Sequence, residues 1–448
     1  MTFRPYLCII YNGYLRIRNY ALRKEVTALQ NKSWFKLDNA GKIFPGQNTS
    51  TWSNVFRFSV LMKEKVKPEV LEQALKDVLP RFPCFDVCMK RGFFWYYLKK
   101  NPHGSPEVKP DIVNPCYRVK FNENRGYLFR VYYYENKISV DFYHALTDGR
   151  GASLFTCTLV AQYLRLLGYD IPNGYNVLDI NQKPTAEELE DPFPKCAGSK
   201  AKLPRGKKWV YHSRGTKLPN HMVNITSGII PLADLKAVAK SKGVTVTEFV
   251  ETVLLYTMYL MQKAEGGTKP VSVQIPVDLR NVFGINTLRN FSLTYNARID
   301  PNMGEYTFDE VLTQVSAYLK QTHNEKTLRA MTTANLKLEQ SVMKYMPLFI
   351  KDLGIGISFL ITGEKTTSIL GSNMGLVKVP DEMAQHVERM YLMAGPGVIN
   401  GSRCGAVGFK DTFVLTVANI YEESEIERLI FTQLVKMGLH VKIESNRK

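Results

Sequence analysis

Apolar residues recur at two periods along this chain, and the two periods separate its elements. Between residues 51 and 61, Phe56, Phe58 and Val60 alternate on one face, which predicts a strand. Pro68 then opens a stretch in which Val70, Leu71, Ala74, Leu75, Val78 and Leu79 recur at helical spacing. Pro80-Arg81-Phe82-Pro83 stops that helix, because proline lacks an N–H and restricts the residue before it. Residues 93–98 and 127–134 are aromatic runs that read as strands, the first of them as sheet core. Glu135-Asn136-Lys137 reads as a turn, and residues 138–144 as the antiparallel return. Gly149 and Gly151 supply the freedom for a tight strand-to-helix transition, and residues 152–167 predict a strongly apolar helix closed by Gly168.

Residues 171–214 are rich in Pro, Gly and Lys and read as loops and a crossover. A second half opens near Val223, with a strand over 225–232, a helix over Leu232–Ser241 and a turn at Gly243. Thr245 stands three residues before Glu248, a capping-box start for a helix running to Gln262. That helix is apolar nearly all round and is expected to be buried. Residues 271–277 predict a core strand, Phe308–Thr322 an amphipathic helix, 355–360 and 412–417 strands, and 423–439 a closing helix. Strand–helix units in both halves give an α/β expectation, two subdomains of mixed sheet and packed helices. The boundaries expected are an N-terminal extension over 1–33, a first subdomain over 34–215 and a second over 216–448.

Bulk properties narrow the classes. With 448 residues, 45% of them hydrophobic and 22% charged, the chain can bury a large core. No window approaches the roughly 18 consecutive apolar residues of a spanning helix. Residues 1–30 mix Tyr, Ile and Leu with four Arg and one Lys, without the uninterrupted apolar core of a signal peptide. The seven cysteines are scattered, and no second pair complements Cys84 and Cys88 into a zinc site, so reduced thiols, a cytoplasmic home and no metal are expected. The net charge of +18 reads first as a solvated surface and second as a field attracting anions: coenzyme A thioesters, phosphopantetheine carriers or an anionic membrane surface in peripheral contact. The dispersed basic residues accompany no nucleic-acid motif, so no nucleic-acid partner is expected.

The chemistry concentrates at His144-Ala145-Leu146-Thr147-Asp148-Gly149. A histidine at the end of a hairpin strand, with Asp148 and Gly149 four and five residues on, can present one imidazole as a base while the carboxylate fixes the loop. This H-x-x-x-D-G segment resembles that of the HxxxD acyltransferase superfamily, which includes chloramphenicol acetyltransferase, plant and alcohol acyltransferases and the condensation domains of peptide synthetases. Further landmarks follow in the family's order. Residues 68–83 resemble its first helix and basic, proline-containing end. Gln274-Ile275-Pro276-Val277-Asp278-Leu279-Arg280 and Arg289-Asn290-Phe291 resemble its P-V-x-x-R and G-N-x segments, with Arg289 in place of glycine. Ser372-Asn373-Met374-Gly375 resembles its S-N-x-G strand, and 425–444 the closing helix of bacterial alcohol acetyltransferase-like proteins. The plant D-F-G-W-G segment is absent, and the doubled histidine of condensation domains is Tyr143-His144 here.

The resemblance implies a chloramphenicol-acetyltransferase-like pair of subdomains with a tunnel between them. It implies acyl transfer from an acyl-CoA or acyl-phosphopantetheine co-substrate to an alcohol or amine, with no bound cofactor. His144 is then the general base and Asp148 a structural carboxylate paired with an arginine, for which Arg280 and Arg81 both qualify. Gly149 allows the turn, and Asn290, Ser372 and Asn373 are candidates for the oxyanion donor or tunnel lining. A monomer is expected, with an acyl carrier protein as an optional partner. Two other readings stand beside this one: a non-catalytic protein holding an acyl or hydrophobic ligand, and a condensation-type enzyme acting in trans on a carrier.

Overall fold

The computed structural model describes residues 34–49, 52–112, 114–201, 209–219 and 222–447. The extension expected over 1–33 lies outside them. Three sheets form among the described residues. The first has the spatial order Val387–Ala394, Val55–Met62, Lys137–Tyr143, Phe129–Tyr134, Val108–Pro110. The second runs Ser292–Ile299, Val271–Asp278, Ile369–Val377, Ser402–Phe409, Thr412–Asn419, Asn224–Pro231, Lys442–Ser445. A small third sheet joins Trp34–Lys36, Tyr96–Lys100 and Val87–Arg91. Both large sheets are mixed. Val108–Pro110 is parallel to its neighbour, and Ile369–Val377 is parallel to both of its own.

Helices cover each large sheet for reasons visible in their sequences. Pro68–Val78 starts on a proline, carries Glu69 in its first turn and Lys76 in its last, and buries Leu71, Ala74, Leu75 and Val78. Each such side chain removed from water contributes about 1.5–3 kcal/mol. Its partner, Gly149–Leu166, is capped by Asp148 and ends before Gly168, whose φ of 97° only glycine adopts readily. Val246–Ala264 starts with the capping box Thr245/Glu248 and is buried along most of its length.

The two sheets meet through one strand. Val387–Ala394 completes the first sheet by pairing with Val55–Met62, although both its neighbours in sequence lie in the second. The chain therefore crosses the cut expected at residue 215, which rests on sequence order and cannot register so non-local a pairing. Gly405 permits the contact: a Cβ there would lie 2.4 Å from the Leu392 carbonyl oxygen.

Several expectations fail at this level. Residues 355–360 are not a strand; Leu348–Ser358 is a helix, continued to Gly363 with a wider turn. Its short apolar run carries no period that separates strand from helix. The aromatic run at 93–98 becomes a strand only from Tyr96, and Phe93 and Phe94 are exposed at the hairpin tip instead of entering the core. The closing helix ends at Lys436, and the chain finishes as the edge strand Lys442–Ser445. The crossover holds two single-turn helices, Ala186–Leu189 and Phe193–Cys196.

Candidate active site

Strand Lys137–Tyr143 delivers the histidine. Tyr143 turns into the core against Phe121, and the next residue, His144, bonds through its N–H to the Asn54 carbonyl at 2.8 Å. The imidazole is sandwiched in orientation by Phe44, stacked at 4.7 Å, and Phe56, tilted at 5.0 Å. Its Nδ1 lies 3.1 Å from Asn290 Oδ1. The Asn290 amide nitrogen faces two acceptors, the His144 carbonyl at 3.0 Å and Asp38 Oδ2 at 3.3 Å. Since that end must donate, Oδ1 must accept, so Nδ1 carries the proton and Nε2 keeps its lone pair. Burial pushes the imidazole below its ordinary 6.5, opposed in part by the Asp148 charge and the Asn290 bond, and so favours the neutral ring.

Asp148 serves the backbone and one arginine. Its carboxylate accepts from Gly151 N at 3.2 Å and Phe291 N at 2.8 Å, and receives Arg280 through both terminal nitrogens at 2.9 and 3.0 Å. Burial opposes its charge, but Arg280 and the two N–H groups outweigh that and hold the carboxyl below its usual range. Arg280 also bonds Asp278 and the carbonyls of Thr287 and Arg289, tying the end of strand Val271–Asp278 and the loop before Ser292–Ile299 to the start of Gly149–Leu166. Arg81, the other arginine considered, pairs with Glu188.

The remaining predicted residues separate. Gly149 has no positive φ, and a Cβ there would make only ordinary contact with Met374 at 3.4–3.9 Å, so its freedom is not what the turn requires. Gly151 is the obligatory one: a Cβ would fall 2.0 Å from Thr147 Oγ1 and 2.5 Å from the Leu288 carbonyl. Asn290 is no oxyanion donor, because its amide is spent behind the ring. Asn373 is likewise engaged, donating to Thr247 and accepting from Gly375 N. Ser372 and Asn373 both line the cavity with His144, Asp148, Gly149 and Arg280. That cavity, about 210 Å³, draws walls from both sheets, with Asn54 and Phe56 facing Val277, Ser292 and Leu370, and Leu392 and Arg403 between.

One contributor escaped the sequence reading, and a second was read there only as a departure from glycine. Asp38 is fully buried, accepts Gly41 N at 2.6 Å and faces Arg289 Nε at 3.4 Å as well as Asn290. Arg289 in turn donates to the Lys36 carbonyl at 2.6 Å, so the residue replacing glycine anchors the segment that carries Asp38 and Phe44. The signal available was the pattern Asp38-Asn39-Ala40-Gly41, an aspartate turn in an otherwise apolar stretch.

Compared as a structure, the chain aligns over about nine-tenths of its length with several solved chains. It has the chloramphenicol-acetyltransferase-like fold. TRI101 of F. sporotrichioides, solved with coenzyme A and T-2, superposes with a TM-score of 0.62 at 12% identity over 92% of this chain and all of its own. The starter condensation domain of rhizomide synthetase RzmA, solved with C8-CoA and Leu-SNAC, gives 0.58 at 14% identity, covering 91% of this chain and 95% of that one. Polyketide synthase associated protein 5 of Mycobacterium tuberculosis gives 0.55 at 14%, covering 89% and 96%. No family model and no curated protein matches the sequence. At such identities the likeness concerns the fold, and the chemistry rests on the residues above.

Proposed function

We propose that this protein is an acyltransferase that moves an acyl group from a coenzyme A or phosphopantetheine thioester directly to an alcohol or amine. The observation that carries the reading is the ring of His144, with Nδ1 committed to Asn290 and burial favouring its uncharged form, at a cavity walled by both sheets. The acceptor's proton passes to His144 Nε2 as its oxygen or nitrogen bonds to the thioester carbonyl carbon. The tetrahedral adduct then expels the thiol sulfur, and the imidazolium returns the proton to it. A base of this kind contributes about 10²–10⁴-fold. Ser372 and the positive end of helix Gly149–Leu166 line the same cavity and would face the developing oxyanion. Asp148 and Arg280 hold the loop and take no proton.

A condensation-type reaction in trans is the second reading, supported by the likeness to a starter condensation domain solved with an acyl-CoA and an aminoacyl thioester mimic. Thiol release is followed with acyl-CoAs of graded length and with an acylated carrier protein, each with pooled alcohols and amines, and products are weighed by mass spectrometry. Acceptor-dependent release from acyl-CoA supports the first reading, and release from the loaded carrier alone the second. Binding of acyl-CoA with no acceptor-dependent release from either donor makes the protein a binder.

A further inference from the structure

A run of exposed apolar side chains lies on two adjoining elements. Helix Leu348–Ser358 exposes Phe349 at 66%, Leu353 at 67% and Ile357 at 50%, a spacing of four that forms a single stripe. The hairpin tip beside it exposes Phe93 at 72% and Phe94 at 42%. They form one patch, because Leu348 N donates to the Phe93 carbonyl at 2.9 Å and Lys351 Nζ to the Phe94 carbonyl at 2.7 Å. The helix's two charged residues do not break the stripe. Lys351 is buried over the Trp95 ring, and Asp352 is turned toward Tyr96 and Arg91. A patch of this kind marks an interaction site.

Charge identifies the partner. Lys90, Arg91, Lys99 and Lys100 are exposed along the same hairpin, and Lys344 stands exposed before the helix, on a chain of net charge +18. Aromatic and aliphatic groups at protruding tips, rimmed by lysines with flexible stems, match the interface of an anionic bilayer. We propose that the face made by hairpin tip 92–95 and helix Leu348–Ser358 docks on an anionic lipid surface. The position has a consequence for the site. Ile355 of this helix packs on Gly46, two residues after the Phe44 that stacks on His144, so the docking helix rests on the segment that positions the ring.

The test is co-flotation of the full chain with vesicles of phosphatidylcholine alone or mixed with phosphatidylglycerol. Its readout is independent of catalysis. Two exposed-residue variants accompany the wild type, Phe349→Ser/Leu353→Ser and Lys90→Glu/Lys344→Glu, with thermal melts to establish that both are folded. The wild type is expected on the mixed vesicles and depleted from neutral ones, with partitioning about tenfold or more weaker in each variant. No flotation with mixed vesicles, or flotation unchanged in folded variants, overturns the proposal. Vesicle-free self-association that Phe349→Ser/Leu353→Ser abolishes, without flotation, assigns the face to a second copy and overturns it too.

Discussion

The carboxamide of Asn290 holds Nδ1 of His144 at 3.1 Å from its oxygen while its nitrogen is tied to the His144 carbonyl and to Asp38. One side chain thereby sets both the tautomer and the ring plane, and it is itself set by a buried aspartate that Arg289 grips. Removing it as Asn290→Ala should lower the turnover of acyl transfer about 10²-fold with little change in donor affinity. Steady-state rates beside equilibrium binding of the donor check this; turnover equal to wild type would separate Asn290 from the chemistry.

The acidic limb of activity follows from the same environment. Burial holds His144 below 6.5, so kcat/KM should rise with pH through an apparent pKa under that value and be level by neutrality. The sign for stability is the same. Below about pH 6.5 the unfolded chain binds a proton at this residue and the native one resists it, so the contribution falls with falling pH. A pH–rate profile with its inflection above 6.5 would contradict the assignment.

Asp148 and Arg280 should behave as a structural pair. Arg280→Ala leaves a buried carboxylate without its cation and removes bonds to Asp278, Thr287 and Arg289, a loss of about 3–5 kcal/mol in unfolding free energy. Urea unfolding measures it, and a loss under about 1 kcal/mol would show the pair to be dispensable.

The two glycines of the turn should separate in experiment. Gly149→Ala should fold with stability within about 0.5 kcal/mol of wild type, since its Cβ meets only Met374. Gly151→Ala should be destabilised by about 2 kcal/mol or more, because Thr147 and the Leu288 carbonyl occupy the space. Thermal melts of both decide, and the reverse order would refute the close approach.

What was legible in the sequence was local. Helix Phe308–Thr322 and the capping box of Thr245 and Glu248 announce themselves through spacing within a few residues, and the structure has both. The H-x-x-x-D-G segment was legible for the same reason. Pairings across hundreds of residues were not: Val387–Ala394 joins a sheet whose other strands all precede residue 144, and Asn290 meets Asp38 only because the second sheet docks on the first. Helix Leu348–Ser358 was missed for another reason. A helix that exposes its apolar face has no polar side to reveal its period.

The central claim is that His144 removes the acceptor's proton. The direct measurement is acceptor-dependent thiol release by wild type and His144→Ala at saturating donor, with donor affinity determined by calorimetry on both. The account predicts release reduced about 10²–10⁴-fold in the variant with the dissociation constant for the donor little changed. Equal release by the two proteins would contradict it.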